Sequence, residues 1–212
     1  MSRGSGWIAL ALAPLLAVPA MASGIYAVDD PATTPAGTGQ VENRVSLAGD
    51  GSILRFYPAA TFRALPTVEW TVGFERDRLG DERVAGLFLQ AKARLTAEPE
   101  EVGAAGVSLA LASSLPFADG TGATVSGNAA VTPAAHPRLL LHANLGAVRA
   151  PGEAIALTWG LRSEATLVME RLAFHAELFG HSTGAPGLQL GVRPTLAGER
   201  ANWLTLGAAV RF

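Results

Sequence analysis

Residues 203–212 read WLTLGAAVRF, and their side chains alternate between apolar and mixed character. In an extended chain, one face would carry Leu204, Leu206, Ala208, Val210 and Phe212. The other face would carry Trp203, Thr205, Gly207, Ala209 and Arg211. Successive side chains of a strand point to opposite faces, so this period of two predicts a strand with one apolar face.

The same alternation recurs along the chain at steady intervals. It predicts further strands at 41–47, 53–64, 68–76, 84–96, 102–115, 139–149, 155–164, 172–179 and 188–196. Alanine and leucine are good helix formers, so local propensity leaves part of this series ambiguous. The charged residues decide for strands, because Lys92 with Arg94, and His175 with Glu177, share a face in a strand and not in a helix.

Together these segments make about ten strands. The longest predicted loop covers residues 116–138 and is rich in Gly, Ala, Pro and Thr. A strand in its middle, GATVSGNAAV, would require another near residues 24–30 to keep both termini on one side, giving twelve. Four turns are expected on the side of the carboxyl terminus: GHSTGAP, APGE, AEPEE and Leu65-Pro66. The stretch RDRLGDER is expected as a charged loop on the opposite side.

Composition excludes several functional classes. With 16 basic and 18 acidic residues, the chain lacks the basic footprint of a nucleic-acid-binding protein. Cysteine is absent, which excludes disulfides, thiolate metal sites and a cysteine nucleophile. The 24 glycines and the scarcity of lysine suit strands that face lipid on one side and a crowded interior on the other.

Residues 1–22 have the features of a secretory signal peptide. Arg3 supplies the positive charge, an apolar run covers residues 7–18, and Ala20-Met21-Ala22 forms a small-x-small cleavage site. The mature chain is therefore expected to begin at Ser23. An N-terminal membrane anchor is the alternative, although the run is short for a membrane span. No later apolar run approaches about 18 residues, so no transmembrane helix is expected.

Residues 23–40 lead into the predicted strands. They contain DDPATTPAGTG, in which two prolines and two glycines argue against regular structure. We interpret residues 23–40 as a flexible periplasmic lead-in and residues 41–212 as the strand-containing domain. The alternative is a plug that enters the interior of that domain.

These features predict an all-β fold. The expected architecture is a transmembrane antiparallel up-and-down β-barrel of about ten strands, preceded by a cleaved signal peptide. Aromatic residues near the strand ends would form girdles at the membrane interfaces: Trp70, Phe74, Trp159 and Phe212. A soluble β-sandwich, with one face on a core and one in water, is the main rival.

The polar face of the predicted strands carries charges of both signs. The candidate lumen-lining residues are Arg55, Arg63, Glu69, Glu75, Lys92, Arg94, His142, Asn144, Arg162, Glu164, His175, Glu177, Arg193 and Arg211. Unpaired burial of charge is costly, so the simplest interpretation is an interior filled by salt bridges. The alternative is a narrow polar path in which basic residues favour anionic solutes.

No specific catalytic or metal-binding motif is present in the sequence. His175 and Glu177 would share a strand face, as an imidazole and a carboxylate do in hydrolases, with Ser163 or Ser182 as nucleophile candidates. His181-Ser182-Thr183 is more typical of a turn. The histidines are too scattered for a metal-spacing argument, and no phosphate-binding glycine loop is found. We therefore expect neither enzymatic activity nor a cofactor.

Several stretches resemble one known family: VDDPATTPAGTGQVENR, LRFYPAATFRALPTVEWTVGF, LFLQAKARL, GVSLALASSLP, LLLHANLGA and RLAFHAELFG. They are similar to outer-membrane proteins described as transporters of meta-pathway aromatic (phenol) degradation. The matching positions are Asp29, Asp30, Glu42, Glu69, Lys92, Asn144, Gly146 and Glu177. The chain departs from the family where Ala147 replaces the usual Tyr, and where the strand after Leu115-Pro116 is reduced to GATVSGNAAV.

The resemblance implies a porin-like barrel of the Gram-negative outer membrane that passes small hydrophobic or aromatic solutes. Its partners would be outer-membrane lipid and the barrel assembly machinery. By resemblance to outer-membrane barrels that end in Phe, Phe212 would be the recognition point for assembly. The alternative function is a structural or surface-interaction barrel with a plugged lumen and no transport.

Overall fold

The computed structural model describes residues 28–34, 37, 39–47, 53–62, 65–79, 82–96, 102–117, 122–136, 138–167, 172–194 and 206–211. The predicted signal peptide and residues 23–27 lie outside these ranges, as do Arg63 and Phe212.

The described chain forms eleven antiparallel strands. They are β1 Gly39–Leu47, β2 Ile53–Phe62, β3 Val68–Leu79, β4 Glu82–Arg94, β5 Ala105–Pro116, β6 Thr124–His136, β7 Leu139–Arg149, β8 Ala156–Leu167, β9 Leu172–His181, β10 Gly187–Pro194 and β11 Leu206–Arg211. Each strand pairs with the next along the chain, so the order in the single sheet is the order of the sequence. Among the described residues there is no helix of the length and apolarity needed to cross a membrane. The predicted all-β, up-and-down arrangement is confirmed.

All strands run between the same two ends of the sheet, which we call the near end and the far end. The near end is where β1 begins, at Gly39, and the far end is where β11 finishes, at Arg211. Even-numbered strands therefore run from the far end to the near end. Because ten antiparallel steps separate them, β1 and β11 run in the same direction.

Two predicted loops are strands instead. Residues 116–138, the longest predicted loop, contain the 13-residue strand β6, which covers most of the GATVSGNAAV stretch given as the alternative. The companion strand that this alternative requires near residues 24–30 is absent from the described part, residues 28–30. The stretch RDRLGDER is divided between β3 and β4, which leaves residues 80–81 between them. The extra strand places APGE and GHSTGAP at the far end but AEPEE and Leu65-Pro66 at the near end. The prediction that all four turns share one side is therefore wrong.

Small side chains explain why the sequence of β6 is typical of a loop. Its residues alternate in burial, with Ser126, Ala130 and Thr132 buried and Val125 and Val131 exposed. Alanine occupies positions on both faces, so the alternation has little contrast in hydropathy. Proline, which cannot donate to a strand ladder, is tolerated at position 133 beside the point where the register with β7 shifts.

The two faces of the sheet have opposite character. The outer face exposes large apolar side chains, and Leu111 and Leu145 are 68% and 66% exposed. The inner face of the same strands buries polar and charged side chains, such as Lys92, Ser108 and His142. Water-soluble proteins usually have the reverse arrangement, with apolar side chains inside and charged side chains in water. Lysine in particular is almost never fully buried unless it is paired.

Residues 28–34, named here the inner segment, lie against the inner face and have no regular secondary structure. They contact strands from two distant parts of the sheet, β3 with β4 and β8 with β9. In a flat sheet β3 and β9 would be about 29 Å apart, at a strand spacing of about 4.8 Å. Val28 and Asp29 are 0% and 2% exposed. The sheet therefore curls around the inner segment and covers it from two sides.

The inner segment runs from the far end towards the near end. Val28 lies over Gly160, where an added Cβ would be 2.6 Å from the Val28 side chain. Asp30 contacts Arg162, which is two residues further along β8. Thr34 then contacts the second residue of β3, at the near end. The chain thus crosses the inner face before it begins β1.

Candidate functional site

The structure places the predicted lumen-lining residues on the inner face wherever it describes their side chains. Nearly fully buried are Glu69, Lys92, His142, Arg162, Glu164, His175 and Glu177. Half-buried on the same face are Glu75, Arg94 and Asn144. Outside the described side chains are Arg55, Arg63, Arg193, Arg211 and Phe212. The inner face therefore contains a cluster of charges that the strands hold in fixed register.

Two acid–base pairs face each other directly across neighbouring strands. Glu69 on β3 is opposite Lys92 on β4. Arg162 on β8 is opposite Glu177 on β9. Opposite residues on one face of an antiparallel pair have Cβ atoms about 4.5–5.5 Å apart, which lets oppositely charged side chains attract each other.

Two consecutive aspartates of the inner segment lie between the cations of this cluster. The Lys92 ammonium donates a hydrogen bond to Asp29 Oδ1 at 3.0 Å and is 3.9 Å from Asp30 Oδ1. The Arg162 guanidinium donates to Asp30 Oδ2 at 3.0 Å. One cation comes from β4 and the other from β8, so the aspartates connect two distant parts of the sheet. Charge-assisted hydrogen bonds are about twice as strong as neutral ones.

Two glutamates hold the backbone of the inner segment. Glu177 Oε2 accepts the Val28 N–H at 2.9 Å. Glu69 Oε2 accepts the Thr34 N–H at 2.8 Å and the Thr34 hydroxyl at 3.2 Å. These contacts supply acceptors for two N–H groups of a segment that lies outside the strand ladders.

Local contacts and a glycine fix the shape of the inner segment. Asp29 Oδ1 accepts the N–H of Asp30, and Asp30 Oδ1 accepts the N–H of Ala32, both at 2.9 Å. Aspartates make such contacts to the following backbone in turns. Because Gly160 has no Cβ, the fully buried Val28 side chain can lie directly on β8.

The two buried histidines have different environments. Thr132 on β6 and His142 on β7 share a hydrogen bond of 2.6 Å between Oγ1 and Nδ1. His175 is opposite Glu164, and its Nε2 is 3.9 Å from Glu177 Oε1. A hydroxyl beside an imidazole is one component of a nucleophilic site, but Thr132 is only 3% exposed on the face where the inner segment lies.

The serines considered as nucleophiles lie away from His175. Ser182 is in the turn after β9, where its hydroxyl accepts the Leu157 N–H at 3.1 Å. In the same turn, His181 contacts Thr183 at 3.0 Å, and the prediction of a turn at residues 181–183 is confirmed. Ser163 alternates with Arg162 and Glu164 along β8 and so occupies the outer face.

A row of small and polar side chains adjoins the cluster. Ser108, Ala130, Asn144 and Gly160 are successive partners across β5, β6, β7 and β8. Among the described residues, the Ser108 hydroxyl and the Asn144 amide have no hydrogen-bond partner. A buried polar group without a partner costs about 1–3 kcal/mol. The row ends at Gly160, below Val28 of the inner segment.

Sequence reasoning missed the aspartates as site residues. Asp29 and Asp30 are the only charged residues in residues 23–40. This isolated pair of charges is the feature of the sequence that could identify them as site residues. Ser108 and Thr132 were also missed, because single hydroxyl groups on an alternating strand are common. The partner of Asp30 is 132 residues away in sequence, so its identity depended on the curvature of the sheet.

Comparison with family models gives a match over most of the chain. The model of the family described as uncharacterised conserved protein UCP029691 matches residues 10–212. No curated protein and no solved structure matches the chain. The matched region includes the inner segment and all eleven strands.

Proposed function

We propose that this chain, which belongs to the family of uncharacterised conserved proteins UCP029691, is a β-barrel protein of the bacterial outer membrane. One observation supports the proposal most directly: the outer face of the sheet is apolar while the inner face is polar and charged. In the strands of outer-membrane barrels, apolar side chains that face lipid alternate with polar side chains that face the interior.

The apolar outer surface extends over eight consecutive strands. From β3 to β10, each strand exposes at least one large apolar side chain: Val72, Leu89, Leu111, Val131, Leu145, Leu161, Phe174 and Leu190. Large contiguous apolar patches on water-soluble proteins usually mark interfaces. Here the surface follows every described strand in this range, as expected for contact with lipid rather than with a single partner.

Closure of the sheet into a barrel is part of the proposal. The contacts of the inner segment with β3, β4, β8 and β9 support it, because they require strong curvature. Since β1 and β11 run in the same direction, direct pairing between them would be parallel. Bacterial single-chain barrels usually have even strand numbers, but an odd-stranded mitochondrial barrel shows that such closure occurs.

We orient the far end of the barrel towards the periplasm. The connection between β4 and β5, residues 95–104, is at the near end, and outer-membrane barrels have their longer loops outside the cell. The direction of the inner segment supports the same orientation. Its first described residue, Val28, lies further towards the far end, where β11 ends, than Thr34 does.

The position of the inner segment favours a closed barrel at rest. It occupies the interior at the level of Lys92 and Arg162, where an open polar path would have to pass. We therefore propose that the protein, with the segment in place, is a structural or surface-interaction barrel that does not transport solutes. Passage of small hydrophobic or aromatic solutes, which the resemblance to the aromatic-degradation family implies, is the second candidate and requires the segment to move.

Cell fractionation combined with gel migration tests membrane location and folding. We expect the protein in the outer-membrane fraction, with an unheated sample that migrates differently from a boiled one. Recovery in the soluble periplasmic fraction would contradict the barrel proposal.

Solute flux into reconstituted vesicles separates the two candidate functions. A closed barrel predicts no more flux of small aromatic solutes than in protein-free vesicles. Clear flux through the folded wild-type protein would instead favour transport.

A further inference from the structure

We propose that the inner face is a binding site for an extended acidic peptide, which the inner segment occupies in exchange with other peptides of the same kind. The ligand class is an extended chain with two consecutive carboxylates. This inference rests on the proposed barrel, because the site faces the barrel interior.

The site recognises both the backbone and the side chains of its ligand. Glu177 accepts the first N–H of the segment, and Glu69 accepts the N–H of Thr34 at the other end. Between these two anchors, Lys92 and Arg162 bind the two aspartate carboxylates. A ligand that reproduces all four contacts must therefore be a peptide, since a small dicarboxylate offers no backbone N–H groups.

The shape of the site selects an extended chain as well. Gly160 allows the backbone of β8 to approach the ligand, and a Cβ at this position would collide with Val28. The Val28 side chain is 0% exposed in this depression. A branched apolar residue directly before the carboxylates thus fits a space already present in the sheet.

The strand register makes release of the ligand physically feasible. When the inner segment leaves, Lys92 still has Glu69 opposite it, and Arg162 still has Glu177 opposite it. Each of these glutamates loses only N–H and hydroxyl donors. Removing one partner of a buried ion pair is costly because it leaves an uncompensated charge. Here the cross-strand neighbour compensates each charge, so the four residues can bind either the segment or one another.

Peptide binding to full-length protein tests the proposal. The probe is a fluorescently labelled peptide of residues 24–38, and the proteins are the wild type and the D29N/D30N variant in detergent micelles. We expect the variant, whose own segment binds weakly, to bind the peptide at least about tenfold more tightly than the wild type. A probe with asparagine at both aspartate positions should bind the variant at least about tenfold more weakly than the acidic probe. Equal affinity of the two proteins, or of the two probes, would overturn the inference.

Labelling of a buried reporter provides a second measurement that does not need the double variant. Thr34→Cys introduces a single thiol into a chain without cysteine, at a residue that is 7% exposed. Acidic peptide at about 10 mM, above the effective concentration of the covalently linked segment, should displace the segment and accelerate maleimide labelling, whereas the asparagine peptide at the same concentration should not. No acceleration by the acidic peptide would count against exchange.

Gel migration of the same samples keeps the two proposals distinguishable. A sample that shows a heat-dependent shift but no peptide effect contradicts the peptide site and leaves the barrel intact. A wild-type sample without any heat-dependent shift contradicts the barrel on which the site depends.

Discussion

Arg162 has carboxylates on two sides that come from distant parts of the sequence. Asp30 reaches it from the inner segment, and Glu177 lies opposite it on β9. Its side chain is 1% exposed, so its charge is held in the interior together with those of its partners. The stability of the cluster should therefore depend on this residue more than on cations near the edges of the inner face.

Arg162→Met keeps much of the side-chain volume and removes the charge. We expect a loss of about 3–5 kcal/mol in the free energy of unfolding, because two acidic groups lose their shared cation. Urea unfolding in detergent micelles measures this loss. Arg94→Met is the matched control on the same face, and it should cost about 1 kcal/mol or less because Arg94 is only half-buried. Equal losses in both variants would contradict the central role of Arg162.

Ser108→Ala should stabilise the protein. The Ser108 hydroxyl is buried without a hydrogen-bond partner among the described residues, so its removal should raise the free energy of unfolding by about 1 kcal/mol. Ser126→Ala is the control, since Ser126 is also buried but, unlike Ser108, takes part in a further interaction. It should lower the free energy of unfolding by about 0.5–1.5 kcal/mol in the same urea assay. Destabilisation by both substitutions would show that the Ser108 hydroxyl has a partner in solution.

The sequence located most positions of this site but not their partners. Alternation is a local property, and it put Lys92 and Arg162 on the polar face. The ion pairs of the inner segment join residues 63 and 132 positions apart. Such pairs depend on strand register and on sheet curvature, neither of which follows from the period of a single strand.

At the scale of elements, the contact between the inner segment and β8 depends on Gly160. Gly160→Ala should displace the inner segment without changing any charge, because the added Cβ would be 2.6 Å from the Val28 side chain. Overpacking costs about 1–3 kcal/mol, which corresponds to an increase of about 5- to 150-fold in segment opening. Maleimide labelling in a Thr34→Cys background measures the opening.

Gly127→Ala is the matched control for this glycine. An added Cβ there would be 3.4 Å from Leu111, an ordinary contact distance. We expect the labelling rate of the Thr34→Cys reporter to stay within twofold of the unmodified background. A similar acceleration by both alanines would show that the effect arises from general loosening of the sheet.

The strands that the sequence predicts directly and the one that it offers only as an alternative differ in side-chain size. The last strand was predicted from alternation between large apolar and small or polar residues, and its described part extends over Leu206–Arg211. In β6, small residues on both faces provide little hydropathy contrast, so its Gly, Ala and Pro are more typical of a loop. Pairing with β5 and β7 supplies the backbone hydrogen bonds that define β6 as a strand, and such pairing is not a local property of the sequence.

At the scale of the whole molecule, the solvent around the outer face should determine the effect of a surface charge. Leu111→Arg introduces a cation on β5 at a side chain that is 68% exposed. In a bilayer this should cost about 2–4 kcal/mol if the residue is near the membrane midplane. In a water-soluble protein the same surface change would usually alter stability by about 0.5 kcal/mol or less. Urea unfolding from lipid vesicles distinguishes these outcomes.

Val102→Arg is the control for the substitution on the outer face. Val102 is 64% exposed but lies in the connection before β5, at the near end of the sheet. A charge close to the membrane interface should cost about 0–1 kcal/mol. If both arginines are tolerated equally, the outer face is not embedded in lipid.

The short connection between the inner segment and β1 has a thermodynamic consequence. Only four residues separate Thr34 from Gly39, the first residue of β1, and covalent linkage over such a short distance produces an effective concentration in about the millimolar range. A free acidic peptide at micromolar concentration would therefore seldom replace the tethered segment. Proteolytic cleavage within residues 35–38 would convert the segment into a free ligand at the concentration of the protein itself. Occupancy of the interior would then depend on dilution.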